Sequence, residues 1–179
     1  DVFSFMDVYW TLGRPADASR LLDRTKAFEG KLDLKQQARL CNYLSEEAAR
    51  QQKFEEAERH LLRGIALSKK AKDVVGQGKA LVNLVGRVYG PTGRLSEAAT
   101  QLRKALLLPD APGQPAVKTT AAMNLGAVLR HMGKSKSALE CFEHAFALAR
   151  RHQLSVHAGL ICNNMASFCY EQGRFLESL

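Results

Sequence analysis

Apolar residues recur along this chain at helical spacing. Phe54, Ala57, Leu61 and Ile65 fall at i, i+3, i+7 and i+11, which places them on one face of a helix. Similar stripes follow one another from end to end, separated by short breaks that hold Gly or Pro. They predict helices over residues 1–12 and 15–29, 34–51 and 54–70, 74–91 and 95–108, 115–132 and 135–152, then 156–172 and a truncated 175–179. No segment reads as a strand. The pattern also repeats. Gly13/Ala18, Gln52/Ala57, Gly93/Ala98, Gly133/Ala138 and Gly173/Ser178 each place a turn residue five positions before a small one. The first members stand 39, 41, 40 and 40 residues apart, with Gln52 and Ser178 as the departures. A period of this kind predicts an all-α solenoid of antiparallel helix pairs, since no single unit could bury its apolar face alone.

Other positions keep the same phase. Twelve residues before each marker Ala stand Met6, Ser45, Gly86, Gly126 and Ala166, mostly small, where two helices are expected to cross closely. Leu22, Leu61, Leu102 and Phe142 follow the marker by four and fill the gaps between crossings. The expected organisation is one array over 1–179, with repeats at about 1–33, 34–73, 74–114 and 115–154 and an incomplete one at 155–179. Two irregularities interrupt it. Gly90-Pro91-Thr92-Gly93 adds one residue at the third intra-repeat turn, and Pro109, Pro112 and Pro115 stiffen the linker before the fourth repeat.

Composition narrows the function classes. Hydrophobic residues make up 46% of the 179, enough for a core, while no run nears the roughly 18 apolar residues of a membrane span. The apolar N-terminus lacks a basic leader and is broken by Asp7, so it does not read as a signal peptide. Without an initiator Met, and stopping inside a fresh repeat at Leu179, the chain reads as a segment excised from a longer protein. Cys41, Cys141, Cys162 and Cys169 form no CxxC pair and sit at apolar helical positions, as buried reduced thiols of a cytoplasmic protein do. The net charge of +8 favours acidic partners, although acids such as Glu46-Glu47 and Glu55-Glu56 lie between the cations. No HExxH, GxSxG or phosphate-loop motif is present, so catalysis, metals and cofactors are not expected.

Asn124-Leu-Gly-Ala-Val-Leu-Arg-His-Met-Gly133, continuing through Ala138, Phe142 and Ala145, resembles the tetratricopeptide repeat signature. Leu84-Val-Gly86-Arg-Val-Tyr89 with Gly93, Ala98, Leu102 and Ala105 carries it again, and Asn164-Met-Ala166 through Gly173 carries it more weakly. The first two repeats are degenerate, with Gln52 at the turn and Ala48 in place of the aromatic. The family's ordinary period is about 34 residues. The longer period here is similar to the arrays of kinesin light chain and of bacterial regulators and peptide receptors. The resemblance implies a right-handed superhelix whose inner wall, built from the first helix of each pair, takes a peptide without catalysing any reaction.

Asparagines fall near the middle of those first helices at Asn42, Asn83, Asn124, Asn163 and Asn164. A primary amide offers two donors and an acceptor, so a row of them can pair with a peptide main chain; equally, it can bond the neighbouring helix and order the stack. The amide phase is cleanest at Asn124 and Asn164, with Asn42 and Asn83 one residue earlier. Arg39, Arg50, Arg87, Arg130 and His131 lie one or two turns away and would grip carboxylates of an acidic ligand. Glu46 and Glu171 in the same wall argue against a uniformly positive groove, and the carboxylate-clamp pattern of chaperone-binding relatives is not reproduced. The first helix carries more apolar residues than one stripe needs. Phe3, Met6 and Trp10 are expected at an end-to-end contact forming a homodimer. The leading reading is the protein-binding sensor or adaptor segment of a larger bacterial regulatory protein. The alternatives are a self-assembling spacer and a nucleic-acid-binding solenoid. The last needs a contiguous basic track with stacking aromatics, which 7% aromatic content on core phases does not supply.

Overall fold

The computed structural model describes residues 2–171 and 173, apart from the Trp10 side chain, and among them every regular element is a helix. The helices are α1 (Val2–Thr11), α2 (Pro15–Ala27), α3 (Leu34–Arg50), α4 (Phe54–Lys70), α5 (Val74–Leu84), α6 (Leu95–Leu106), α7 (Gln114–His131), α8 (Ser135–Arg151) and α9 (Ser155–Glu171). A π-helical turn at Val85–Tyr89 extends α5, and a 3₁₀ turn at Glu29–Lys31 follows α2. The helix expected at 175–179 lies outside the described residues.

Local chemistry sets the helix ends. Asp33 and Gln36 form a reciprocal capping box at the start of α3, the Asp33 carboxylate accepting from the Gln36 N–H at 2.8 Å. The repeated turn residue is the left-handed position after each first helix, with φ of 67° at Gly13, 70° at Gly93 and 72° at Gly133. There the N–H groups of Gly133 and Lys134 close back onto the carbonyls of Arg130 and Leu129, both at 2.9 Å. Gln52 adopts the same conformation at φ 58° without glycine's freedom, which costs on the order of 1 kcal/mol.

The chain divides into two units, residues 1–88 and 89–179. In the first, α1 packs on α2, α3 pairs with α4, and α5 lies against both α3 and α4. Phe3, Met6, Leu22, Leu40, Tyr43 and Leu44 form its core, with the Phe3 and Tyr43 rings stacked at 5.7 Å. In the second, α7 lies against α6 and α8, and α9 packs on α7 and α8. Phe142 and Phe168 meet at 6.3 Å in this unit. A Cβ at Gly126 would stand 2.7 Å from the Phe142 ring, so α7 and α8 approach closely because Gly126 has no side chain.

Gly86 does not play that part. It is exposed, and a Cβ there would meet nothing within 4 Å. Residues Ala80, Leu81, Leu84 and Val85 repeat the burial of Ala121, Ala122, Leu125 and Gly126, a spacing of 41. Beyond the π turn, Val88 and Tyr89 match Val128 and Leu129, a spacing of 40. The extra residue counted in the third repeat is thus absorbed inside the helix by one widened turn. Counting back from the turn glycine therefore lands one residue past the true crossing position, Val85. The thiols are likewise not uniformly buried: Cys41 and Cys169 are, Cys141 is half-buried and Cys162 is exposed.

Candidate functional site

On α3, Lys35, Arg39 and Asn42 recur at i, i+4 and i+7, and on α5, Lys79 and Asn83 recur at i and i+4, so each set shares one helix face. Together with Asp7 and Tyr43 they border a cavity of about 220 Å³, walled by Ala38 and Ala80; Asn83 alone stands outside its lining. Both acids of the cavity are already engaged. The Tyr43 hydroxyl donates to Asp7 Oδ1 at 2.5 Å, and Asp73 accepts from the Gly76 N–H at 3.0 Å as the cap of α5. Burial, then the bond to Asp7 and its charge, push the Tyr43 phenol up to about 12. Arg39 lies over the Phe3 ring, 4.5 Å from its centre. Lys35 and Lys79 are exposed, and among the described residues neither is paired.

Asn42, Asn83 and Arg87 are brought together, and they bond one another. Asn83 Nδ2 donates to Asn42 Oδ1 at 2.7 Å. Arg87 Nη1 donates to the Asn42 carbonyl at 2.7 Å, to Asn42 Oδ1 at 3.0 Å and to Ser45 Oγ at 2.7 Å, while Nη2 donates to Glu46 Oε2 at 2.8 Å. Burial lowers the pKa of Arg87 against the opposing pull of Glu46. This arginine therefore ties α5 to α3. Asn42 spends its amide oxygen on these bonds and keeps its –NH₂ as a donor for a ligand. Burial phase also corrects the amide register, because Asn83 stands 41 residues before Asn124 and Asn124 40 before Asn164, at equivalent points, with Asn42 one residue off.

The remaining residues are more dispersed. Asn124 on α7 and Asn164 on α9 are half-buried and Asn163 is exposed. Arg130 Nη1 lies 3.7 Å from Glu171 Oε1, His131 is exposed, and Arg50 pairs with Glu47 at 3.4 Å. Phe3 and Met6 are both 0% exposed, held in the core by α2 and α3, so neither offers a surface for self-association. The exposed apolar residues of α1 are Phe5, Val8 and Leu12. The Trp10 side chain lies outside the described residues. Lys35 and Lys79 were missed in the sequence, although their i, i+4 relation to Arg39 and Asn83 was there to be read. Among the described residues no three His, Cys, Asp or Glu side chains converge as a metal site requires, and no helix is long and apolar enough to cross a membrane.

Comparison with known proteins bears on the fold. Tetratricopeptide repeat models match residues 119–152 and 6–24. Over those two stretches the chain carries tetratricopeptide repeats. Among solved structures it is similar to aspartyl phosphate phosphatase F from Bacillus subtilis, with a TM-score of 0.81 and 12% identity over 99% of this chain. It spans 46% of that phosphatase chain. A Podosopora anserina protein of kinesin light chain type, with nearly identical TPR-like repeats, aligns with a TM-score of 0.67 and 18% identity over 99% of this chain and 88% of its own. A single-substitution variant of that protein aligns at 0.68. Likenesses at these identities establish a repeat solenoid of this type. No curated protein matches the sequence.

Proposed function

We propose that the chain is a protein-interaction scaffold in which the α3–α5 face of the first unit grips an acidic segment of a partner. The observation that carries this reading is the cavity where Lys35, Arg39 and Lys79 converge with Asn42 while Asp7 and Asp73 are committed elsewhere. A carboxylate entering there meets three cations against two acids, a net positive field. The Asn42 amide adds a donor for a main-chain carbonyl. Asn124, Asn163 and Asn164, with Arg130 and His131, offer the same chemistry on α7 and α9 of the second unit. Arg50 is the outlying member of the set. The scaffold serves as the sensor or adaptor segment of a larger regulatory protein, a reading supported by its likeness to less than half of the Bacillus subtilis chain.

The test is affinity capture with the chain and its Arg39→Glu/Lys79→Glu variant, followed by direct titration of whatever is retained. A protein held by the unaltered chain and released by the variant, with an acidic segment protected in the complex, supports the reading. Equal retention removes the α3–α5 face from binding. Retention of single-stranded RNA with steep salt dependence would favour the nucleic-acid alternative instead.

A further inference from the structure

The second unit holds a larger cavity that no repeat signature marks. Its volume is about 710 Å³, and it opens where the proline-rich linker meets α7 and the end of α8. Lys118 from α7 and His144, Arg151 and His152 from the α8 side line it, opposite the linker's Asp110. Leu106 and Leu148 supply apolar wall. Two permanent cations and two histidines thus face a single acid.

That acid is loosely held. Asp110 binds the Lys118 ammonium directly, yet the Asp110 side chain is 93% exposed while that of Lys118 is 20% exposed. Lys118, then Arg151 and His152, hold the Asp110 carboxyl below its ordinary range, so the cavity's field favours an anion at this point. An ion pair with one partner in open solvent contributes little. Another carboxylate can displace it at small cost. The cavity also has room far beyond one aspartate side chain, and its leucines suit an aliphatic residue beside the charge.

We propose that this cavity binds an acidic peptide segment of a partner protein, whose carboxylate takes the place on Lys118 that Asp110 holds in the free protein. An aliphatic side chain of the same segment lies against Leu106 and Leu148, and Arg151 meets a second carboxylate. Asp110 is then a tethered competitor that sets the threshold for binding. The site shares no residue with the α3–α5 face.

Fluorescence anisotropy with a labelled dodecapeptide of glutamate, leucine and alanine tests this, beside its glutamine counterpart. The glutamate peptide is expected to bind and the glutamine peptide not. Asp110→Asn should tighten binding about three- to tenfold, and Lys118→Met or Arg151→Gln should each weaken it about tenfold. Lys136→Gln, the same charge change at the other end of α8, should leave it alone. The proposal is overturned if Asp110→Asn fails to tighten binding, or if Lys136→Gln costs as much as Lys118→Met. Displacement of the peptide by equimolar inorganic phosphate, with no effect of Leu148→Ala, also overturns it in favour of a small-anion site. Circular dichroism of each variant guards against misfolding, and Asp110→Asn, on an exposed linker, remains decisive by itself.

Discussion

On α3 and α5 the asparagines are tied down, Asn83 to Asn42 and both helices to Arg87. On α7 and α9 the amides of Asn124 and Asn164 have no hydrogen-bond partner among the described residues. The difference lies in one residue, about a turn beyond the asparagine. On α5 that residue is Arg87, long enough to reach the backbone of α3. On α7 the equivalent residue is Ala127, and on α9 it is Ser167, four and three positions after Asn163 and Asn164 respectively, whose hydroxyl turns back to the Asn163 carbonyl of its own helix at 3.0 Å. One amide pattern therefore serves two purposes. Where a long donor is present it becomes packing, and where the donor is short the amides stay available.

The largest effect should come from cutting that tie. Arg87→Ala leaves the Asn42 carbonyl, Asn42 Oδ1, Ser45 and Glu46 without their shared donor. Unfolding in urea should show a loss of about 2–4 kcal/mol. Ser167→Ala, at the matching point of α9, should change stability by less than about 0.5 kcal/mol. Similar losses in the two variants would mean that Arg87 bonds contribute no more than an ordinary surface contact, and the contrast between the faces would collapse.

A second comparison sets Gly126 against Gly86. Gly126→Ala drives a methyl to 2.7 Å from the Phe142 ring and 3.1 Å from the Ala138 carbonyl. Overpacking of this kind should cost about 1–3 kcal/mol. Gly86→Ala enters open space inside a helix and should be neutral or stabilising by up to about 1 kcal/mol. Thermal melts of the two variants decide it. A loss at Gly86 as large as that at Gly126 would restore Gly86 as a helix-crossing residue and contradict the shift made by the π turn.

The repeat period, the helix pairs and their turns were legible because they rest on local chemistry: helical apolar spacing, and a glycine at the positive-φ turn within each repeat except at Gln52. Legibility failed where a residue took a conformation its type does not announce. Lys72 and Gln153 sit at φ 53° and 54° in turns between repeats, and no glycine marks either one. The π turn was visible only as a count of 41, which fixes that a residue is extra but not where the backbone absorbs it. At the candidate site, the amide row was readable while its pairing was not, since pairing depends on whether an arginine lies one turn beyond. Phe3 and Met6 show the same limit. A helix apolar on several sides does not declare which side its neighbours will cover.

The smallest effect concerns Tyr43, whose tie to Asp7 in the α3–α5 cavity has no counterpart on α7, where the equivalent position is Asn124. A phenol raised from 10.0 to about 12 on folding binds its proton more tightly in the native state. Its contribution is therefore complete below pH 10 and is lost as the pH climbs toward about 12. The shift corresponds to at most about 2.7 kcal/mol across that window, and solvent screening lowers it. Tyr43→Phe keeps the ring stacked on Phe3 and removes the titrating proton, so its stability should fall less steeply than that of the unaltered chain at alkaline pH. All other groups are shared by the two proteins and cancel in the difference. Melting temperatures between pH 9 and 12 should converge as the pH rises, the two proteins differing most at the lower end. Parallel curves would mean that Tyr43 ionises as it does in the unfolded chain, so that its bond to Asp7 adds nothing to the native state.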